Sequence, residues 1–176
     1  MICFCADVQL RYADMIFKEK IGEGAYAEVH SIEFTKGSFK GHHQAAAKKL
    51  NKLRKSEVDI LRKVRHPNII AFVAYVNEPG ITFIVMELAD ESLRKYLDRK
   101  RNIPVALKDR WRDESAEALK YLHEDVRDEH GVQTMVIHRD IKAANCLLFG
   151  ETLKIADFGI SREAECTEGI TLSLLI

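Results

Sequence analysis

Charge of one sign is missing from this sequence, in which 27 lysines and arginines balance 27 aspartates and glutamates. A chain without a net field offers no global attraction to nucleic acid or to an acidic membrane. The basic tract from Lys48 to Arg65 does not change this, because its apolar residues recur at helical spacing and its charges read as a solvated helix face. Cysteine is sparse as well. Cys3, Cys5, Cys146 and Cys166 lack metal-ligand spacing, and a chain this poor in cysteine is no disulfide scaffold, so reduced thiols in a cytoplasmic setting are expected. No apolar run approaches the roughly 20 residues of a membrane span. Met1 to Val8 is briefly apolar but has no basic flank or long apolar run, so no signal peptide is expected. Three prolines and no low-complexity tract leave no linker, and 176 residues suffice to bury a core, so one compact soluble unit is expected. The His42–His43 pair has no partners spaced for a metal and receives no role.

What the chain does have is concentrated between Val136 and Arg162. The stretch reads V-I-H-R-D-I-K-A-A-N-C-L-L and, after a short turn, L-K-I-A-D-F-G-I-S-R. Lys142 follows two residues after Asp140, and Asn145 five after it; Asp157, Phe158 and Gly159 close the stretch. Phosphoryl transfer needs a carboxylate to take the proton of the attacking hydroxyl, and hard oxygen ligands to hold Mg²⁺. Asp140 fits the first task, and Asn145 with Asp157 the second. A polar loop between two apolar strands is the competing reading of either half alone. Both halves in order, flanked by apolar strands, favour chemistry.

Upstream, Phe17 to Ile21 leads into G-E-G-A-Y-A-E-V, from Gly22 to Val29, which predicts a strand, a tight turn and a second strand. Gly22 and Gly24 would let the backbone approach a phosphate with no Cβ in the way, although a plain hairpin fits the same letters. Ala45, Ala46, Ala47 and Lys48 form a further strand, against local preference, since β-branched residues favour that geometry by up to ~1 kcal/mol. Ser56 to Val64 places Val58, Leu61 and Val64 on one helical face, with Ile60 on the flank, and ends at His66-Pro67-Asn68. Glu57 lies on that helix, nine residues after Lys48, as the candidate partner of the lysine; a solvated glutamate competes with this. Ile69–Val76 and Ile81–Leu88 read as an antiparallel pair around the turn Asn77-Glu78-Pro79-Gly80. Glu91–Arg101 and Val105–Leu122 read as helices, the second burying Leu107, Trp111, Ala118, Leu119 and Leu122. His123 to Thr134 is a polar loop.

On these residues the chain resembles the eukaryotic protein kinases from about Phe17 to Arg162. The motifs are G-x-G-x-x-A, the lysine of A-A-A-K, H-R-D-x-K-x-x-N and D-F-G. Lys142 is similar to the serine/threonine branch. A-K-K-L, the short gap from Lys48 to Glu57, R-H-P-N-I-I and the E-P turn are similar to the mixed-lineage and zipper-bearing MAP kinase kinase kinases. The resemblance implies an α+β, protein-kinase-like two-lobed fold. An N-terminal extension (1–16) would precede a complete antiparallel N-lobe of five strands and one helix with its hinge (17–89). The partial, mainly helical start of a C-lobe (90–162) and a truncated activation segment (163–176) would follow.

The same resemblance implies ATP and Mg²⁺ as cofactors and a protein substrate bearing Ser or Thr, with a downstream MAP kinase kinase as the candidate. It implies neither nucleic acid nor membrane insertion. Carried over by position, Asp140 would be the base, Lys142 and Lys48 would neutralise phosphate charge, and Glu57 would hold Lys48. Asn145 and Asp157 would hold Mg²⁺. Gly22, Glu23, Gly24 and Ala27 would cover the phosphates, and Ile21, Val29, Ala46, Leu147 and Ala156 would sandwich the adenine. Met86 would be the gatekeeper, with backbone groups of Glu87 and Ala89 bonding the base. Leu61, Phe72, His138 and Phe158 would stack into a regulatory spine. After Arg162 the chain reads E-A-E-C-T-E-G-I-T-L-S-L-L-I where a kinase continues to A-P-E, with Thr167, Thr171 and Ser173 in activation-loop territory. Truncation is therefore expected, with an apolar face of the Val105–Leu122 helix left uncovered. Two functions stay open: a serine/threonine kinase in stress or MAP kinase signalling, and a non-catalytic nucleotide- or partner-binding kinase fragment acting as a decoy.

Overall fold

The computed structural model describes residues 9–24, 27–50, 55–128 and 130–165. Met1–Val8, Cys166, Thr167, Thr171 and Ser173 lie outside the described residues. The single unit expected from composition is resolved into two, one within Met1–Val58 and Ala71–Ala89, the other within Asp59–Ile70 and Asp90–Ile176.

In the first unit, β1 (Met15–Gly24), β2 (Ala27–Phe34), β3 (Gln44–Leu50), β4 (Phe72–Glu78) and β5 (Ile81–Met86) form an antiparallel sheet in the order β1-β2-β3-β5-β4. Strand side chains alternate between faces, and one face buries Ile32, Phe34, Ala45, Ala47, Phe83 and Val85 together with Leu10 and Met15. Ala45 and Ala47, both fully buried, therefore sit in the strand through packing on this face and not because alanine prefers it, while Ala46 lies on the opposite face. The sheet begins at Met15, ahead of the expected Phe17, since Met15 pairs with Phe34 and closes the core.

Two further strand ends differ from expectation. β4 starts at Phe72 rather than Ile69. The Ile70 amide donates to the Ile155 carbonyl at 2.9 Å and the Ile155 amide to the Asn68 carbonyl at 2.9 Å, which recruits this apolar stretch to the second unit. β5 ends at Met86 rather than Leu88. There Glu87 turns onto Ala71, its amide donating to the Ala71 carbonyl at 3.1 Å and its carboxylate accepting the Ala71 amide at 2.8 Å. Helix α1 (Lys55–Lys63) falls where its apolar spacing predicts and buries Val58, Ile60 and Leu61.

The second unit holds β6 (Glu91–Ser92), α2 (Leu93–Arg99), α3 (Val105–Glu124), β7 (Thr134–Ile137), β8 (Cys146–Phe149), β9 (Thr152–Ile155) and β10 (Arg162–Glu165). Its strands form two small sheets, β6-β8-β9 and β10-β7. The helix expected over Glu91–Arg101 is shorter at both ends. Glu91 and Ser92 pair with Leu148 and Leu147, and the Ser92 hydroxyl then caps α2 by accepting the Lys95 amide at 3.3 Å. Helix α3 buries Trp111, Ala118 and Leu122, while Leu107 and Leu119 are half-buried. Side chains of α3 grip the β8–β9 hairpin. The Trp111 indole donates to the Glu151 carbonyl at 2.9 Å, and the Glu114 carboxylate accepts the Leu153 amide at 2.7 Å. Asn145 and Asp157 flank that hairpin, so α3 and the buried residues Val136, Leu148, Leu153 and Ile155 form the rigid support beneath them. Among the described residues no helix is long and apolar enough to cross a membrane.

Candidate active site

In the first unit the register brings the predicted residues onto one face of the sheet. Val29 stands opposite Lys48 and Ala46 opposite Met86, and directly opposed residues share a face. Gly22 stands opposite Val29 and Gly24 opposite Ala27, on that same face. Glu23 is set apart. It pairs with Glu28 on the other face, where its carboxylate meets Lys20 Nζ at 2.9 Å. A Cβ placed on Gly22 would meet only the Val29 side chain, at 3.6 and 3.7 Å, which is ordinary contact. Packing therefore does not demand glycine at this position.

Glu57, from the first turn of α1, reaches Lys48 on β3: Nζ lies 2.6 Å from Oε1, with the two side chains 12% and 2% exposed. A carboxylate buried this deeply persists as an ion only with a partner, so each holds the other in place. The Glu87 amide is committed to the Ala71 carbonyl. Ile21 and Ala89 are half-buried, as is Phe72; in the second unit Leu147, on β8, is half-buried and Ala156 is buried.

The second unit gathers the H-R-D and D-F-G segments. Asp140 Oδ2 accepts from Lys142 Nζ at 2.8 Å and from Asn145 Nδ2 at 2.8 Å, and Nδ2 also donates to the Asp140 carbonyl at 2.9 Å. Lys142, and after it Asn145, hold the Asp140 carboxyl below the usual carboxylate range, against partial desolvation and the charge of Asp157. His138 is buried. Its Nε2 lies 3.0 Å from the Ala156 carbonyl, which can only accept, so Nε2 carries the hydrogen; Nδ1 then accepts the Asp140 amide at 3.3 Å. Burial pushes the imidazole below its ordinary value, with the Ala156 carbonyl opposing. Its ring meets Phe158 edge-on, centroids 4.8 Å apart, and Leu61 is buried in the same unit.

Arg139 and Asp157 both hold positive φ, 70° and 65°, a region that costs a non-glycine residue about 1–3 kcal/mol and that clusters at functional sites. Asp157 Oδ1 accepts the Gly159 amide at 3.3 Å. Ser161 is a residue that spacing does not single out. Buried, it donates its hydroxyl to the His138 carbonyl at 3.0 Å and ties the two motifs together. The Cys146 thiol is free and buried, and burial raises its pKa.

The donor set suits Mg²⁺. Asn145 spends its amide hydrogens on Asp140, so its oxygen is the donor left for a cation, and Asp157 adds a carboxylate; Mg²⁺ commonly takes one or two such ligands and completes its shell with phosphates and water. Among the described residues no cluster of three or more His, Cys, Asp or Glu is poised for a metal.

The protein kinase domain profile matches residues 15–173, and the chain belongs to that family. Its relatives are serine/threonine kinases. It is 37% identical over 146 residues to a chain of Acanthamoeba polyphaga mimivirus named as a serine/threonine-protein kinase, covering 82% of this chain and 25% of the relative. It is 37% identical over 118 residues to mitogen-activated protein kinase kinase kinase dlk-1 of Caenorhabditis elegans, covering 66% and 12%. It is 33% identical over 145 residues to mitogen-activated protein kinase kinase kinase 13-B of Xenopus laevis, covering 81% and 14%. The chain thus spans a quarter or less of the length of these curated relatives. The two-lobed α+β kinase fold expected from the motifs is the fold of this family, and the five-stranded antiparallel sheet is its N-lobe.

Proposed function

We propose that this domain transfers the γ-phosphate of ATP to serine or threonine hydroxyls of a protein substrate. The observation that carries the reading is Asp140, an ionised carboxylate oriented by Lys142 and Asn145. The exposed Asp157 lies in the segment that Ser161 ties to His138. In the reaction Asp140 takes the proton of the attacking hydroxyl as the new O–P bond forms and the bond to the β-phosphate oxygen breaks, releasing ADP. Lys142 bears on the transferred phosphoryl group. Lys48, fixed by Glu57, offsets charge on the remaining phosphates. Mg²⁺, when bound, neutralises phosphate charge; Asn145 and Asp157 would hold it.

Gly22, Gly24 and Ala27 approach the phosphates with little side chain. The space at Gly22 supports this, since the fold alone would accept a methyl group there. On the first unit Ile21, Val29, Ala46 and Met86 take the adenine, which backbone groups of Glu87 and Ala89 bond; Leu147, on the second unit, is a further proposed contact of the base. Residues 17–89 serve as the nucleotide-holding lobe and 90–162 as the catalytic one. The MAP kinase kinase kinase relatives make a MAP kinase kinase the proposed substrate and stress signalling the proposed setting.

Thermal melting of the purified chain tests this. Mg-ATP at about a hundred times its dissociation constant should add about 2.7 kcal/mol of stability, whereas ATP with a chelator should add far less. Asp157→Ala should remove the Mg²⁺-dependent part and any phosphotransfer. A cooperative melt indifferent to Mg-ATP would overturn the catalytic reading in favour of a binding module. Phosphotransfer surviving Asp157→Ala would overturn the metal assignment.

A further inference from the structure

Strand β1 carries more residues than the length of β2 it pairs with. Phe17 stands opposite Ile32, Lys20 opposite His30 and Gly22 opposite Val29, so β1 is irregular twice before it reaches the glycines. A one-residue slip turns every following side chain to the other face of a sheet. The two irregularities together restore the face and carry the pairing two places further along. With only one of them Gly22 would stand opposite Glu28, on the face away from Lys48.

Ser31 sits across from the first irregularity. Its Oγ accepts the Glu19 amide at 3.1 Å and donates to the Glu19 carbonyl at 3.4 Å. A bulged residue loses its ladder partners, and here one hydroxyl meets both backbone groups of Glu19. Ser31 is itself held by pairing with Ala46 on the central strand β3. The neighbouring cross-strand links, Lys18–Glu33 at 2.9 Å and Lys20–Glu28 at 3.3 Å, are substantially exposed ion pairs, which fix geometry weakly.

We infer that Ser31 is a positioning residue for the phosphate-covering hairpin: by holding Glu19 in the bulge it sets the register that presents Gly22 and Gly24 on the Val29–Lys48 face. The inference rests on the nucleotide-binding reading above, and its role in binding is exerted through the glycines.

The test compares the wild-type chain, Ser31→Ala and Ser31→Thr by two measurements: the dissociation constant for Mg-ATP, and backbone NOEs between Gly22 and Val29 in the nucleotide-free protein. Ser31→Ala should weaken Mg-ATP by about fivefold, the factor that one or two modest hydrogen bonds are worth, and should weaken the Gly22–Val29 NOEs. Ser31→Thr, which keeps the hydroxyl, should restore both. Undiminished NOEs in Ser31→Ala overturn the inference, as does a threonine variant that behaves like alanine. A wild-type chain that binds no Mg-ATP overturns the nucleotide reading and with it the role in binding, while the NOEs still decide whether Ser31 sets the register.

Discussion

At Asp140 two donors act on the same carboxylate oxygen, one from a lysine two residues on and one from an asparagine five residues on. They keep the group ionised and fix its direction, which a base needs before it needs proximity to substrate. Asp140→Asn keeps the shape and removes the basicity. It should lower kcat by roughly 10²–10⁴ with little change in the ATP KM, read in a steady-state phosphotransfer assay; near-normal turnover would exclude Asp140 as the base. His138 carries a different prediction. Its imidazole, like that of the partly buried His66, titrates below its ordinary value because burial disfavours the charged form. Below the unfolded value of about 6.5 the unfolded chain binds protons that the folded chain does not, so stability falls as pH drops from about 6.5 toward the folded pKa values. His138→Gln should make the melting midpoint less dependent on pH between about 7.5 and 5.5. An unchanged slope would assign the acid sensitivity elsewhere.

At the scale of elements, β3 sets propensity against packing. Replacing a buried alanine with valine gains up to ~1 kcal/mol in strand preference. Overfilling a tight core costs typically 1–3 kcal/mol. Ala47 is fully buried in the sheet core beside Val85, so packing should win. Ala47→Val is expected to lower stability by about 1–2 kcal/mol in chemical denaturation, and a stabilised variant would mean that the core has unfilled space. Helix α1 shows how one element serves two tasks. Its first turn presents Glu57 to Lys48, and its last turn presents Lys63, whose Nζ lies 2.8 Å from both carboxylate oxygens of Glu163 on β10.

For the whole molecule, charge balance is the governing quantity. With a formal net charge of zero and a pI of about 7.1, the chain has little self-repulsion at neutral pH. Proteins near zero net charge tend to associate. Light scattering across pH 5.5 to 9 should therefore find the solubility minimum close to neutrality, and a chain least soluble at either end of that range would show that exposed apolar surface, not charge, governs its association.

The sequence by itself determined the family motifs. H-R-D-x-K-x-x-N and D-F-G name the candidate base, lysine and metal donors because residues at short fixed spacings form a local pattern, and α1 declared itself because its buried residues recur with the helical period. Pairing and burial were decided only by the tertiary structure. No local rule makes Ala45, Ala46 and Ala47 a strand; pairing with β2 and β5 does, and it buries Ala45 and Ala47 in the sheet core. Ile69 and Ile70 read as strand but leave the sheet: the Ile70 amide donates to the Ile155 carbonyl, and Ile69 bridges to Ile155. Ser161 and Ser31 carry no motif at all, because a hydroxyl acquires its role from the backbone group that folding brings to it. Glu57 lies between these cases. Its position on a helix nine residues after Lys48 was legible, but the 2.6 Å contact depends on a strand and a helix meeting. Spacing along the chain encodes what a few neighbouring residues can do, whereas contacts between distant residues depend on which surfaces fit, and that is settled by packing.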